Sequence, residues 1–327
     1  MTQVDGKSVL ITGGTGSFGK AFVHRLLTTT DVRRVVVFSR DELKQYEMSE
    51  EFRGDSRIRF FLGDVRDVNR LERAFDGVHI VVHAAALKQV PAIEYNPIEA
   101  VRTNIQGAEN VISAALDRGV EKVIALSTDK ASSPINLYGA TKLVSDKLFV
   151  NANGYAGGRP TRFAVVRYGN VVGSRGSVVP FFKRLVAEGA TRLPITDERM
   201  TRFWITLPQG VQFVFDSLEC MRGGELFVPK IPSMRIIDLV QVIRPGLPTE
   251  VVGIRPGEKL HEEMISADDA RRTVDLGRCY VIKPETEWWK RWGDIGGTPM
   301  PPGFSYSSDN NTEWLSHDQL AAMIKDA

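Results

Sequence analysis

The reading that decides the fold is K-S-V-L-I-T-G-G-T-G-S-F-G-K-A-F-V-H-R-L-L, Lys7 to Leu27. Lys7 to Thr12 is a short apolar run of the kind a buried strand requires. The run from Lys20 to Leu27 has helical spacing. Between them Gly13, Gly16 and Gly19 form G-x-x-G-x-x-G. Such a loop supplies a tight turn, a close approach of backbone to pyrophosphate, and a helix N-terminus that favours negative charge. Thr15, Ser17 and Phe18 complete this candidate cofactor cradle.

Working outward, Arg34 to Ser39 reads as a second strand, ending in Ser39-Arg40-Asp41 with Lys44 one helical turn later. An acidic residue at such a strand end holds a ribose hydroxyl, whereas an arginine suits a 2'-phosphate. The expected cofactor is NADP, its phosphate held by Arg40 and Lys44 with Ser39 as donor. Ile58 to Leu62 is the third strand. After it, Asp64 is placed to take an adenine amino group and Val65 to pack on the ring. Val78 to His83 is the fourth, running into Ala84, Ala85 and Ala86, small enough for a cofactor to lie over the backbone. His83 reads as a satisfied histidine at a strand end, and Lys88 reaches the site or stands solvated. Pro97 to Leu116 is expected as one long helix, with Asn104 bracing the backbone near the site.

The chemistry concentrates in L-S-T-D-K-A-S-S-P-I-N-L-Y-G-A-T-K, Leu126 to Lys142. Glu121 to Ser127 reads as a strand, which places Thr128, Asp129 and Lys130 at its carboxyl end, where open α/β sheets bind ligands. A helix from Leu137 onward puts Tyr138 and Lys142 on one face. A free tyrosine has a pKa of about 10, and a nearby ammonium together with a positive nicotinamide favours the phenolate a base requires. Asp129-Lys130 adds a second acid/base pair. A dehydratase needs one, since oxidation at a sugar C4 acidifies C5 and a base and an acid must then act across C5–C6. That reading asks for a neutral Lys130 as base and a protonated Asp129 as acid.

Phe163 to Tyr168 is the sixth strand, so strand and helix alternate six times. The fold class is α/β, a doubly wound parallel Rossmann sheet. Residues 1–168 form the expected dinucleotide domain and 169–327 a smaller, interlaced C-terminal α/β substrate domain. A helix near 206–219 is expected to return to the first. With 327 residues, 43% hydrophobic and 25% charged, the chain can bury a large core, and a formal charge of +2 gives no reason to expect nucleic acid or an anionic membrane. Cys220 and Cys279 lack metal-ligand spacing and read as buried free thiols, so no metal is expected. With no apolar run of about 18 residues and no signal-peptide pattern, a cytoplasmic protein without membrane contact is expected.

These residues resemble the extended short-chain dehydrogenase/reductases, and more narrowly the soluble UDP-N-acetylglucosamine 4,6-dehydratases that invert C5 and open pseudaminic acid synthesis. The resemblance rests on I-T-G-G-T-G-S-F-G-K, F-S-R-D-E-L-K-Q, G-D-V-R-D, H-A-A-A-L-K, L-S-T-D-K-A, N-L-Y-G-A-T-K-L-V-S-D-K-L, R-Y-G-N-V-V-G-S-R-G-S-V-V-P, M-T-R-F-W and G-I-R-P-G-E-K-L-H-E. It implies that Thr128, Asp129, Lys130, Tyr138 and Lys142 are catalytic and that NADP is tightly held. It also implies that Asn170, Val179, Pro180, Thr196, Arg202, Arg255 and Glu258 line a site for UDP-N-acetylglucosamine, to which position adds Lys88 as a candidate. A homo-oligomer, dimer or hexamer, is implied too. The tryptophans Trp288, Trp289 and Trp292 are expected to pack or to meet another subunit. Two other readings remain: a UDP-sugar 4-epimerase, which leaves Asp129-Lys130 without work, and a non-catalytic NADP sensor, which has no need of Tyr138 and Lys142.

Overall fold

Six apolar runs form the strands they predict. A computed structural model describes residues 2–173, 177–285 and 295–325. In chain order these strands are β1 (Ser8–Thr12), β2 (Arg34–Ser39), β3 (Ile58–Leu62), β4 (Ile80–His83), β5 (Lys122–Thr128) and β6 (Arg162–Tyr168). All pair in parallel, in the spatial order β3-β2-β1-β4-β5-β6. Such strands are covered on both faces, which is why β1 is buried at every position. Register aligns their carboxyl ends: Thr12 lies beside Phe38 and His83, and Thr128 beside Tyr168.

The connecting helices are α1 (Ser17–Thr29), α2 (Glu42–Glu51), α3 (Val68–Ala74), α4 (Val90–Tyr95), α5 (Pro97–Ala100), α6 (Gly107–Asp117) and α7 (Leu137–Tyr155). The single helix expected from Pro97 to Leu116 is instead α5, a π-helical stretch Val101–Gln106, and α6. Such wide turns re-aim side chains at functional sites, and this one carries Asn104.

The sheet continues beyond β6, and this was not foreseen. β10 (Leu226–Pro229) adds in parallel, and β15 (Cys279–Ile282), β14 (Thr273–Asp275) and β16 (Thr298–Pro299) add antiparallel beyond it. The helix α9 (Leu207–Cys220) packs against α1. A reciprocal capping box of Thr206 and Gln209 starts it, and it stacks Phe215 on Phe22 of α1 with ring centroids 4.9 Å apart.

The remaining elements form smaller layers: β7 (Asn170–Val171), β9 (Thr201–Ile205) and β11 (Ser233–Arg235) in one sheet, β8 (Leu193–Ile195) with β12 (Thr249–Val251), and β13 (Glu263–Ile265) with β17 (Tyr306–Ser307). With α8 (Val178–Ala187), α10 (Ile236–Ile243) and α11 (His317–Lys325) they enclose a second core around Phe182, Leu193, Trp204 and Leu239. Each such side chain, fully buried, contributes about 1.5–3 kcal/mol. Trp288, Trp289 and Trp292 lie outside the described residues. Among those described, no helix is long and apolar enough to cross a membrane. No His/Cys/Asp/Glu group there could hold a metal ion.

Candidate active site

Thr128 ends β5, and Asp129–Ala131 turn at once into a short 3₁₀ helix capped by the Thr128 side chain. The Thr128 hydroxyl donates to Asp129 Oδ1 at 2.9 Å. Helix α7 begins against this turn. Asn136 caps it by accepting from the Gly139 amide at 2.8 Å, and the Leu137 amide donates to Glu94 Oε1 at 2.6 Å. A Cβ at Gly139 would overlap the carbonyl oxygen of Lys130. The glycine after Tyr138 is therefore what lets the helix start on the turn. It brings Tyr138 to Thr128, Asp129 and Lys130, all of which act on its phenol. Lys142 follows one turn deeper, 3% exposed. Asn104 braces the arrangement as expected: its side chain bonds both backbone groups of Leu87 and donates to Thr141 of α7 at 3.0 Å.

A second segment closes on the turn. Lys259 Nζ donates to the Ser132 carbonyl at 2.6 Å, and the hydroxyls of Ser132 and Ser133 donate to Glu263 Oε2. Ser133 takes a φ of 41°, a left-handed conformation uncommon outside glycine. These contacts set Glu262 opposite Lys130, with Nζ 2.9 Å from Glu262 Oε1 and 3.1 Å from Asp129 Oδ1. Both carboxylates are buried, at 2% and 1% exposure. Glu262 was not singled out from the sequence. Its only signal was its place at the end of G-I-R-P-G-E-K-L-H-E, where several charged residues compete for notice.

The electrostatics match half of the expectation. Burial pushes the Asp129 carboxyl up, and the Glu262 charge adds to this against the pull of Lys130. A protonated Asp129 is what an acid requires. Lys130 departs from the expected neutral amine. Burial alone would lower its pKa, but Asp129 and Glu262 outweigh burial and hold it as ammonium. Burial pushes the Tyr138 phenol up to about 12, and the cation that opposes this is first of all Lys130, not Lys142 as expected. Burial lowers the Lys142 ammonium while Asp146 opposes it. His83 is a satisfied core histidine: its Nδ1 meets Thr12 Oγ1 at 2.8 Å, and burial pushes it down to about 3.

The glycine loop fits a dinucleotide. Gly13 has φ +67°, and a Cβ there would lie 2.9 Å from the Ala85 backbone. Gly16 caps α1 without any side-chain hydrogen bond, so the helix N-terminus keeps its amides for an anion. Gly19 packs against Gly14 where a Cβ would overlap it. Ser17 and Phe18 open α1. The Thr15 and Ser39 hydroxyls share a hydrogen bond of 2.9 Å. Ala84, Ala85 and Ala86 are half-buried at the β4 edge. Arg40, Ala86 and Lys88 line one cleft of about 460 Å³. Lys44, however, is paired with Asp41, which caps α2. Asp64 is engaged by Arg66 at 2.7 Å and lies 3.7 Å from Arg40. Val65 is buried against Gly107, with little surface for an adenine ring.

The residues expected around a sugar nucleotide divide. Asn170, Pro180 and Arg255 are exposed. Thr196 is buried, its hydroxyl on the Met200 sulfur at 3.4 Å. Glu258 is half-buried, 3.5 Å from Arg202. Two of these residues have other engagements. Val179 is 1% exposed and belongs to the second core, because α8 turns its apolar face inward. Arg202 donates to the carbonyls of Thr201, Lys259 and Leu260 and approaches Glu262 at 3.8 Å. Its guanidinium thus holds the Lys259–Glu262 segment in place.

Comparison with known proteins shows the family. A sequence model of the family described as polysaccharide biosynthesis protein matches residues 9–284. The chain is 55% identical to a Campylobacter jejuni protein (subsp. jejuni serotype O:23/36, strain 81-176) named UDP-N-acetylglucosamine 4,6-dehydratase (inverting), over 98% of each chain. It is 42% identical to a Rickettsia prowazekii (strain Madrid E) protein named UDP-glucose 4-epimerase, over 84% of this chain and 82% of that one. Among solved structures, Pen from Bacillus thuringiensis superposes with a TM-score of 0.89 at 36% identity, covering 99% of both chains. A double mutant of DesIV, a dTDP-glucose 4,6-dehydratase from Streptomyces venezuelae solved with NAD and DAU bound, gives 0.68 at 25% identity, covering 77% of this chain and 86% of that one. The chain belongs to the polysaccharide biosynthesis protein family, within the extended short-chain dehydrogenase/reductases that its motifs resemble.

Proposed function

We propose that this chain is a C5-inverting UDP-N-acetylglucosamine 4,6-dehydratase that uses NADP and opens a pathway to pseudaminic acid. The observation that carries the reading is the pair of buried Asp129 and half-buried Lys130 set against Tyr138 at the carboxyl end of β5. Oxidation and reduction alone need Tyr138; elimination of water needs the pair.

The loop of Gly13, Gly16 and Gly19 would hold the dinucleotide and Arg40 its 2'-phosphate, and the bound cofactor would supply hydride transfer at C4 and C6. Tyr138 takes the C4 hydroxyl proton, with Thr128 and Lys130 favouring its phenolate. Lys142 gives a second cation one helical turn below. Lys130 takes the C5 proton, and Asp129 gives its own to the departing C6 oxygen. Before that, Lys130 must shed its ammonium proton, and since Asp129 keeps its own, the carboxylate within reach to take it is Glu262 at 2.9 Å. The proton count closes: one proton leaves in water, one returns to C5, and those taken from C5 and from the C4 hydroxyl replace them. Asn170, Thr196, Arg255 and Glu258 remain the candidates around the nucleotide sugar, Arg255 offering an exposed guanidinium suited to a diphosphate.

Incubation with UDP-N-acetylglucosamine and mass spectrometry test the reading. A product lighter by one water supports it. An unchanged mass with a mixture of C4 epimers would make the chain an epimerase instead.

A further inference from the structure

Glu262 is a buried carboxylate whose one part in the proposed cycle is to relieve Lys130 of a proton, and its surroundings are built. The Lys259–Ser132 bond and the bonds of Ser132 and Ser133 to Glu263 fix the segment on both sides of it. Its amide donates to Ser308 Oγ at 3.0 Å and its carbonyl accepts from the Ser308 amide at 2.8 Å. Oε1 faces Lys130, while Oε2 is buried without a hydrogen-bond partner among the described residues. A buried carboxylate with one oxygen unsatisfied costs stability, so fold stability alone is a poor account of it.

We propose that Glu262 is a positioning residue for the dehydration step: its carboxylate carries the counter-charge of Lys130, which leaves Asp129 free to keep the proton that the C6 oxygen needs. The inference rests on the dehydratase reading and deepens it. Without Glu262, Asp129 is the one carboxylate within 4 Å of the Lys130 ammonium among the described residues. The pair then becomes a plain salt bridge, with Asp129 ionised and unable to act as acid. The charged and titratable groups around Asp129 are Lys130 on its own turn, Tyr138 from α7, Arg202 from β9, and Lys259, Glu262 and Glu263 from the segment entering β13. Of the carboxylates, Glu262 acts on Asp129 directly and in the direction of protonation.

The test is Glu262→Gln, which keeps shape and removes charge. C4 oxidation, read as the nicotinamide absorbance that appears on adding substrate, should persist, while release of dehydrated product falls at least about tenfold. The fall of kcat at rising pH, which reports loss of the Asp129 proton, should move to lower pH. Glu262→Asp should recover part of the rate and cover the case in which the glutamine variant folds poorly. Carboxyl carbon NMR of Asp129 needs no turnover and should show its titration moved down in Glu262→Gln. An unmoved Asp129 titration, or dehydration within about twofold of wild type with an unchanged pH limb, overturns the proposal. If wild type removes no water from the substrate, the dehydratase reading fails by itself, and the carboxyl titration still decides the role of Glu262 toward Lys130.

Discussion

At Gly139 one methyl group decides whether Tyr138 and the Asp129 turn share a site. The added carbon would overlap the Lys130 carbonyl, a backbone atom that cannot swing aside. Gly139→Ala is expected to lower the melting temperature by several degrees and to cut dehydration by at least about a hundredfold, although alanine is the better helix former by about 1 kcal/mol. A variant as active and as stable as wild type would show that the helix start does not depend on this contact. Lys130→Ala should abolish dehydration while the dinucleotide stays bound, and near-normal turnover would remove Lys130 from the mechanism. Tyr138→Phe should suppress oxidation at C4; fast oxidation there would mean another base. Titrating NADP against NAD tests Arg40, whose guanidinium lies in the cleft with Ala86 and Lys88. NADP should bind at least about tenfold tighter, and equal affinities would reject the assignment. At this scale the sequence was legible where spacing sets placement, as in Tyr138 and Lys142 one turn apart on α7. It was silent where direction matters. Nothing in R-P-G-E-K-L-H-E says that Glu262 points inward, nor that Arg202 serves the backbone and Val179 the core.

Between elements, buried polar contacts join α7 and β13 to the sheet and the strands to one another. Arg167 of β6 meets Asp146 of α7 at 3.1 Å and donates to the Met264 carbonyl of β13 at 2.9 Å, with Ser127 of β5 donating to Asp146 as well. Removing one member leaves an unpaired charge. Arg167→Met should cost about 3–5 kcal/mol in denaturant unfolding, and an unchanged midpoint would show that the pair is not held in the folded state. His83 links β4 to Thr12 of β1. Its folded pKa, pushed down to about 3 by burial, lies below that of the unfolded chain, about 6.5. The unfolded state therefore binds the proton first. The contribution is present above about pH 6.5 and is lost as pH falls toward 3, by up to about 1.4 kcal/mol per pH unit. His83→Gln should flatten the stability loss over this window, and an identical slope would show that His83 is not the group responsible. The strands β1 to β6 and helix α7 were legible because apolar runs and helical spacing are local. The π-helical stretch was not, since it keeps the helical pattern while changing which side chain faces the site.

Across the whole molecule, the largest departure from the sequence reading is the width of the sheet. β10, β14, β15 and β16 extend it to ten strands among the described residues. Their runs, such as L-F-V-P and T-V-D, are too short to declare themselves, and their partners lie far along the chain. The consequence is functional. The segment before β13 that brings Glu262 to Lys130 is anchored by Arg167, Ser308 and Lys259, so both halves of the chain build one acid/base centre. That centre is the account's main claim. The most direct test is proton NMR of the product made from UDP-N-acetylglucosamine in deuterated water. The account predicts a new C6 methyl signal, deuterium at C5 and L-arabino couplings. An unchanged hydroxymethyl group at C6 with scrambled C4 would contradict it.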